Sequence, residues 1–256
     1  MTTPPKTAST VPGTDPEVWF RAIGEFQPGR RNVVWFPHAG GGAAPLIRAS
    51  HRFPPAVNLW AATLPGREGR YADPRPDTLD SLVNSLAQSL PEAAGTPVLA
   101  GHSYGALLAY LVARKLASQF KRKVAGILVM AMSAPNQLGH LDSIVHLANR
   151  EFAEQLDKRY GGVPKALREN AEAMQLFLPT VRHDMQMLES YQDDGEVTLD
   201  VPILALAGTA DSATTPERMQ GWNEKTTGPF ELRSIEGDHF FPLADIQRTL
   251  GIAAAI

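Results

Sequence analysis

The sequence predicts an α/β fold with a mostly parallel central sheet and helices on both of its faces. Three observations carry the prediction. Val33-Val34-Trp35-Phe36, Leu59–Ala62, Val98-Leu99-Ala100, Val124–Met132 and Ile203–Ala207 are short apolar runs, the pattern of strands buried on both faces. Between them lie longer segments with helical spacing, such as Leu79, Leu82, Val83, Leu86 and Leu90. Strand and helix therefore alternate, and parallel strands need crossover helices to join them. The 256 residues suffice to bury the core of one such domain.

In chain order, Met1 to about Pro16 is rich in Thr, Pro and Ser with little to bury, so residues 1–16 are expected to be a disordered tail ahead of a single domain, 17–256. Trp19, Phe20, Ile23 and Phe26 supply anchors for a first short segment packed on the sheet. Strand 33–36 ends at Pro37, His38-Ala39-Gly40-Gly41-Gly42 is a loop, and Ala43 to about His51 a short helix. Leu64-Pro65-Gly66 stops strand 59–62, and the charged loop from Arg67 to Asp77 leads to a helix over Thr78 to Leu90. Ala106 to Ala117, rich in Ala and Leu, is the helix after strand 98–100. From Gln137 to about Gly195 the alternation breaks. That stretch holds no strong strand candidate, and Leu167, Ala171, Met174 and Leu178 share one helical face. It reads as a helical insertion, a lid over about 137–195. A helix over Pro216 to Thr226, a strand over Phe230 to Ile235 and a helix from about Pro242 complete the chain.

Net charge is −3, so nothing points to nucleic acid. No apolar run is long enough to cross a bilayer, so no membrane partner is expected. The first residues carry no apolar segment of the kind a signal peptide needs. The absence of cysteine excludes disulfides, thiolate metal sites and a cysteine nucleophile, and it suits a cytoplasmic protein. The histidines are scattered and no His-Glu-x-x-His appears, so no metal is expected. Nothing indicates self-association, and a monomer is expected.

The chemistry centres on Gly101-His102-Ser103-Tyr104-Gly105, which fits the nucleophile-elbow pattern G-x-S-x-G between a buried strand and a helix. Small residues flank the serine because a tight strand-to-helix turn leaves no room for a Cβ. The turn exposes the hydroxyl at a helix N-terminus, where N–H groups favour negative charge. A serine hydroxyl needs a histidine to take its proton and a carboxylate to orient that histidine. In the α/β-hydrolase architecture the order is serine, acid, histidine. His38, His51 and His102 precede Ser103, and His140, His146 and His183 fall in the insertion. His239, directly after the last strand, is the candidate base. Asp211 follows the strand 203–207 at its C-terminal end, where active sites of open α/β sheets lie, and is the candidate acid. An N-cap or Asx-turn role near Pro216 is its alternative. Asp193, Asp194 and Asp200 precede that strand, and Asp238 points away from its neighbour His239. The oxyanion needs two N–H donors, assigned to Tyr104 and, from the glycine loop, Ala39. No Lys-Ser or Lys-Thr follows those glycines, which argues against a nucleotide P-loop.

With these motifs the chain resembles the type II thioesterases of polyketide and non-ribosomal peptide synthesis. The residues that carry the resemblance are Trp19-Phe20-Arg21, Pro37-His38-Ala39-Gly40-Gly41, Leu64-Pro65-Gly66-Arg67-Glu68, the elbow, Asp211 with Pro216 and Trp222, and Gly237-Asp238-His239-Phe240-Phe241. The resemblance implies Ser103, Asp211 and His239 as triad, Ala39 and Tyr104 as oxyanion donors, and a helical lid. It implies hydrolysis of acyl groups from the phosphopantetheine arm of an acyl carrier protein or peptidyl carrier domain, with no cofactor of the enzyme's own. Tyr104 stands where the family commonly has Met, and Ser133-Ala134-Pro135-Asn136 offers no acid one strand earlier. Carrier proteins are acidic, so Arg114, Lys115, Lys121, Arg122 and Lys123, with Arg48, Arg52, Arg67 and Arg70, form a candidate docking face. The alternatives are an esterase or acyltransferase with the same triad, and a catalytically silent hydrolase-fold binding module.

Overall fold

The computed structural model describes residues 15–138, 142–163, 168–196 and 199–256. The expected tail lies outside them apart from its last two residues, as do His140 and Leu167. A short helix α1 (Pro16–Trp19) leads into β1 (Phe20–Ile23). Next come β2 (Arg31–Phe36) and α2 (Ala44–Ala49), β3 (Val57–Ala62) and α3 (Leu79–Gln88), and β4 (Val98–His102) and α4 (Tyr104–Lys115). β5 (Gly126–Met130) precedes α5 (Asn149–Tyr160) and α6 (Ala171–Ser190). β6 (Ile203–Gly208) leads to α7 (Pro216–Met219), and β7 (Phe230–Ile235) to α8 (Phe241–Ala244) and α9 (Ile246–Ala254).

The described strands form one seven-stranded sheet in the order β1-β3-β2-β4-β5-β6-β7. Every pair is parallel except β1 with β3. Alternation along each strand divides the core in two. Val34, Phe36, Leu99, Ile127, Val129 and Ala205 face one side, where α3 and α4 pack. Val33, Trp35, Val98, Leu128, Met130 and Leu206 face the other, covered by α2 and α9. Helices on both faces are what continuous apolar strands require.

Three details depart from the sequence reading. The first anchored segment is a strand, with Phe20 opposite Ala62 and Ile23 opposite Leu59. Its burial alternates irregularly over four residues, too short a run to read as a strand. The helix from Pro216 is α-helical only to Met219 and tightens to 3₁₀ over Gln220–Lys225, where Trp222 is buried and its Nε1 donates to the Met132 carbonyl at 2.8 Å. In the insertion, the buried face of α6 runs through Leu178, Val181 and Met185, while Ala171 is exposed and Met174 half-buried. Met174 packs at the edge of that face, so helical period found the stripe but placed its buried part too early. With Ile144, Phe152, Leu156 and Val163, this face forms a small third core of its own.

Candidate active site

Ser103 has φ 54° and ψ −123°, a region that residues with a Cβ rarely occupy. The surroundings enforce it. Its N–H donates to the Met130 carbonyl at 2.8 Å, and its carbonyl accepts from Ala106 N–H at 2.7 Å. A Cβ on Gly101 would lie 2.1 Å from the Gly105 carbonyl oxygen, and one on Gly105 would lie 2.1 Å from that of Phe36. The two flanking glycines therefore let β4, α4 and β2 meet at one corner. The Ser103 side chain makes no capping bond to α4, and Tyr104 opens that helix with an N–H of the first turn, which has no intrahelical acceptor.

Asp211 and His239 meet across 28 residues of sequence: His239 Nδ1 lies 2.8 Å from Asp211 Oδ2, and both side chains are buried. A carboxylate only accepts, so Nδ1 carries the proton of this bond. The second oxygen, Oδ1, accepts from Ala213 N–H at 3.0 Å and Thr214 N–H at 3.1 Å. Asp211 thus makes the Asx-type turn and orients the histidine at once. Ser103 and His239 open onto one cavity of about 340 Å³, with Ala39 also in its wall. Apolar side chains of α6, Phe177, Val181, Met185 and Leu188, form much of its roof. From α5, the Tyr160 ring lies 4.9 Å from that of His239. Gly162 crosses Phe240 so closely that a Cβ would come within 2.2 Å of that ring.

His102 gained no role from the sequence, yet its Nε2 donates to the His239 carbonyl at 2.8 Å and steadies the loop that carries the base. Burial, reinforced by His38 and His239, lowers its pKa well below the ordinary imidazole value. His38, in the cavity wall, is pulled down to about 4, chiefly by burial and further by His239 and Arg67. Both rings are neutral near pH 7.

The remaining candidates among the described residues do not line that cavity. His146 is exposed and His183 half-buried on α6. Asp193 pairs with Lys225 and Asp194 with Arg114, while Asp238 accepts from Phe240 N–H in its own turn. Much of the proposed basic face is committed too. Lys115 pairs with Asp80, Arg122 donates to the Leu90 and Pro91 carbonyls, and Arg70 pairs with Asp73. Arg67 is buried against Asp184. Sequence reasoning missed that pair; its signal was an acid set between the apolar Val181 and Met185 on a helix.

Parallel strands with a serine turn at the C-terminal edge, and a histidine after the last strand, define an α/β-hydrolase. Relatedness then narrows the chemistry. Residues 31–256 match the thioesterase domain family, and the chain belongs to that family of thioester hydrolases. It is 29% identical over 225 residues to the gramicidin S biosynthesis protein GrsT of Aneurinibacillus migulanus, covering 87% of each chain. It is 30% identical over 230 residues to thioesterase PikA5 of Streptomyces venezuelae, covering 89% of this chain and 81% of PikA5. Its fold is similar to that of the type II thioesterase BorB from the borrelidin biosynthetic cluster, with TM-score 0.82 and 30% identity over 93% of this chain and 97% of BorB.

Proposed function

We propose that this enzyme releases acyl groups held as thioesters on the phosphopantetheine arm of a carrier protein or carrier domain, using Ser103, His239 and Asp211. The observation that carries the proposal is the buried His239–Asp211 bond beside a cavity shared with the strained Ser103 turn. His239 Nε2 takes the Ser103 proton as Oγ attacks the thioester carbonyl. The Tyr104 and Ala39 N–H groups receive the oxyanion. The intermediate collapses, the thiol leaves with the proton from His239, and an acyl-serine remains. His239 then removes a proton from water, which attacks the ester and releases the acid while Ser103 regains its proton. α5 and α6 serve as the lid that shields the acyl chain from water. The descriptions of GrsT as a gramicidin S biosynthesis protein and of BorB as a type II thioesterase of the borrelidin biosynthetic cluster support the carrier-bound substrate.

Ser103→Ala is expected to abolish release of acid from an acyl-carrier protein, with circular dichroism and melting midpoint unchanged. Retained turnover would refute the serine mechanism. An oxygen ester of the same acyl group, turned over as fast as the thioester, would favour a general esterase instead.

A further inference from the structure

Leu64-Pro65-Gly66-Arg67-Glu68 is specific in the sequence, yet none of its residues enters the mechanism above. In the structure it is a junction. The Arg67 guanidinium forks onto Asp184 of α6, Nη1 to Oδ2 at 2.6 Å and Nη2 to Oδ1 at 2.8 Å. The two side chains are 7% and 2% exposed. Each partner also holds the glycine loop after β2. Arg67 Nη1 donates to the Gly41 carbonyl at 3.1 Å, and Asp184 Oδ2 accepts the Gly40 N–H at 2.7 Å. Glu68 grips the loop's far end, accepting from Ala43 N–H at 3.0 Å and Ala44 N–H at 2.8 Å. Two glycines are needed for this grip. A Cβ on Gly42 would sit 2.4 Å from Glu68 Oε1, and one on Gly40, at φ +74°, would sit 2.4 Å from Val181 Cγ2.

Three consecutive glycines have little conformational preference of their own, so their orientation must come from outside. A buried ion pair contributes little net stability over a packed apolar pair, but its fork geometry fixes direction. Here it fixes the peptide groups directly after Ala39. We infer that Arg67 and Asp184 are positioning residues that preorganise the oxyanion loop and make the aim of the Ala39 N–H depend on α6 being seated. The inference rests on the reading of Ala39 as an oxyanion donor. A donor held in place before reaction costs no reorganisation in the transition state.

The test uses Asp184→Asn, Arg67→Lys and the double apolar variant Arg67→Met with Asp184→Leu, assayed with an acyl-pantetheine thioester. The end point of fluorophosphonate labelling counts competent sites. Boronic acid inhibition reports affinity for a tetrahedral anion. Expected is a fall in kcat per labelled site of about 10- to 100-fold, KM within about threefold, and a matching loss of boronate affinity. The double variant should melt near the wild-type midpoint and still show the loss, because packed apolar groups replace the pair. Should it fail to fold, Asp184→Asn decides. Full kcat per labelled site in folded variants, or a loss explained wholly by fewer labelled sites, overturns the inference and leaves the pair structural. Ser103→Ala separates the two readings. If it is inactive while the pair variants keep kcat, only the positioning role falls; if it retains turnover, the serine mechanism falls and the positioning role with it.

Discussion

At the scale of the residue, the site concentrates cost in a few positions. Ser103 holds a positive φ that its neighbours enforce, a strain of about 1–3 kcal/mol for such a residue. Tyr104 contributes only its N–H to the proposed chemistry, while its side chain is fully buried. Its hydroxyl has no hydrogen-bond partner among the described residues, and burial pushes its pKa well above the usual phenol value. Tyr104→Phe keeps the backbone donor and removes the unpaired hydroxyl. The expected outcome in urea denaturation is unchanged stability or a gain of about 1 kcal/mol, with kcat preserved. A clear loss of stability would mean that the hydroxyl is satisfied in solution.

At the scale of the element, α4 separates the site from the basic cluster. It starts at the serine turn and runs back along the sheet for 12 residues, about 18 Å at 1.5 Å per residue. Lys121 and Lys123 follow its far end, after the π-helical turn Leu116–Phe120. A carrier that delivers its arm to Ser103 is expected to dock at the cavity end of α4 rather than at this one. Reversing both charges, Lys121→Glu with Lys123→Glu, should leave kcat/KM for an acyl-carrier substrate within about twofold at low salt, where steering is strongest. A fall of tenfold or more would place the carrier on that end. α6 carries the opposite lesson. One helix supplies cavity wall through Val181 and Met185 and loop anchor through Asp184, so a substitution on it reports on both roles.

At the scale of the whole molecule, two neutral histidines beside the site couple stability to pH. The unfolded chain protonates His38 at an ordinary imidazole value of 6.5, whereas the folded chain resists until about 4. Between those values the unfolded state binds more protons, so stability falls as pH drops from 6.5 toward 4. His102 shifts in the same direction. Urea midpoints measured from pH 7.5 to 5 should decline below pH 6.5, and His38→Asn should flatten the slope. A midpoint constant across that range would show that these rings are free to charge in the folded state.

Most of the fold was legible because it rests on local rules. Apolar runs marked β2 to β6, helical period marked α3, Ala and Leu content marked α4, and the G-x-S-x-G turn announced itself by its glycines. Asp211 and His239 were legible by chain order and by position after β6 and β7, and the structure joins them at 2.8 Å. β1 was not legible, since four residues show no period and its identity comes from pairing with β3. Nor was the extent of the buried face of α6, which depends on where the helix meets the body.

The sequence by itself determined the sheet, the serine turn and which side chains could do chemistry, because strand burial, backbone sterics and residue type act within a few residues. Only the tertiary structure decided what holds those groups in place: Arg67 to Asp184 across 117 residues and His102 to His239 across 137. Bonds between such distant groups leave no periodic trace, since each partner alone reads as an ordinary charged or polar residue until burial decides where it bonds.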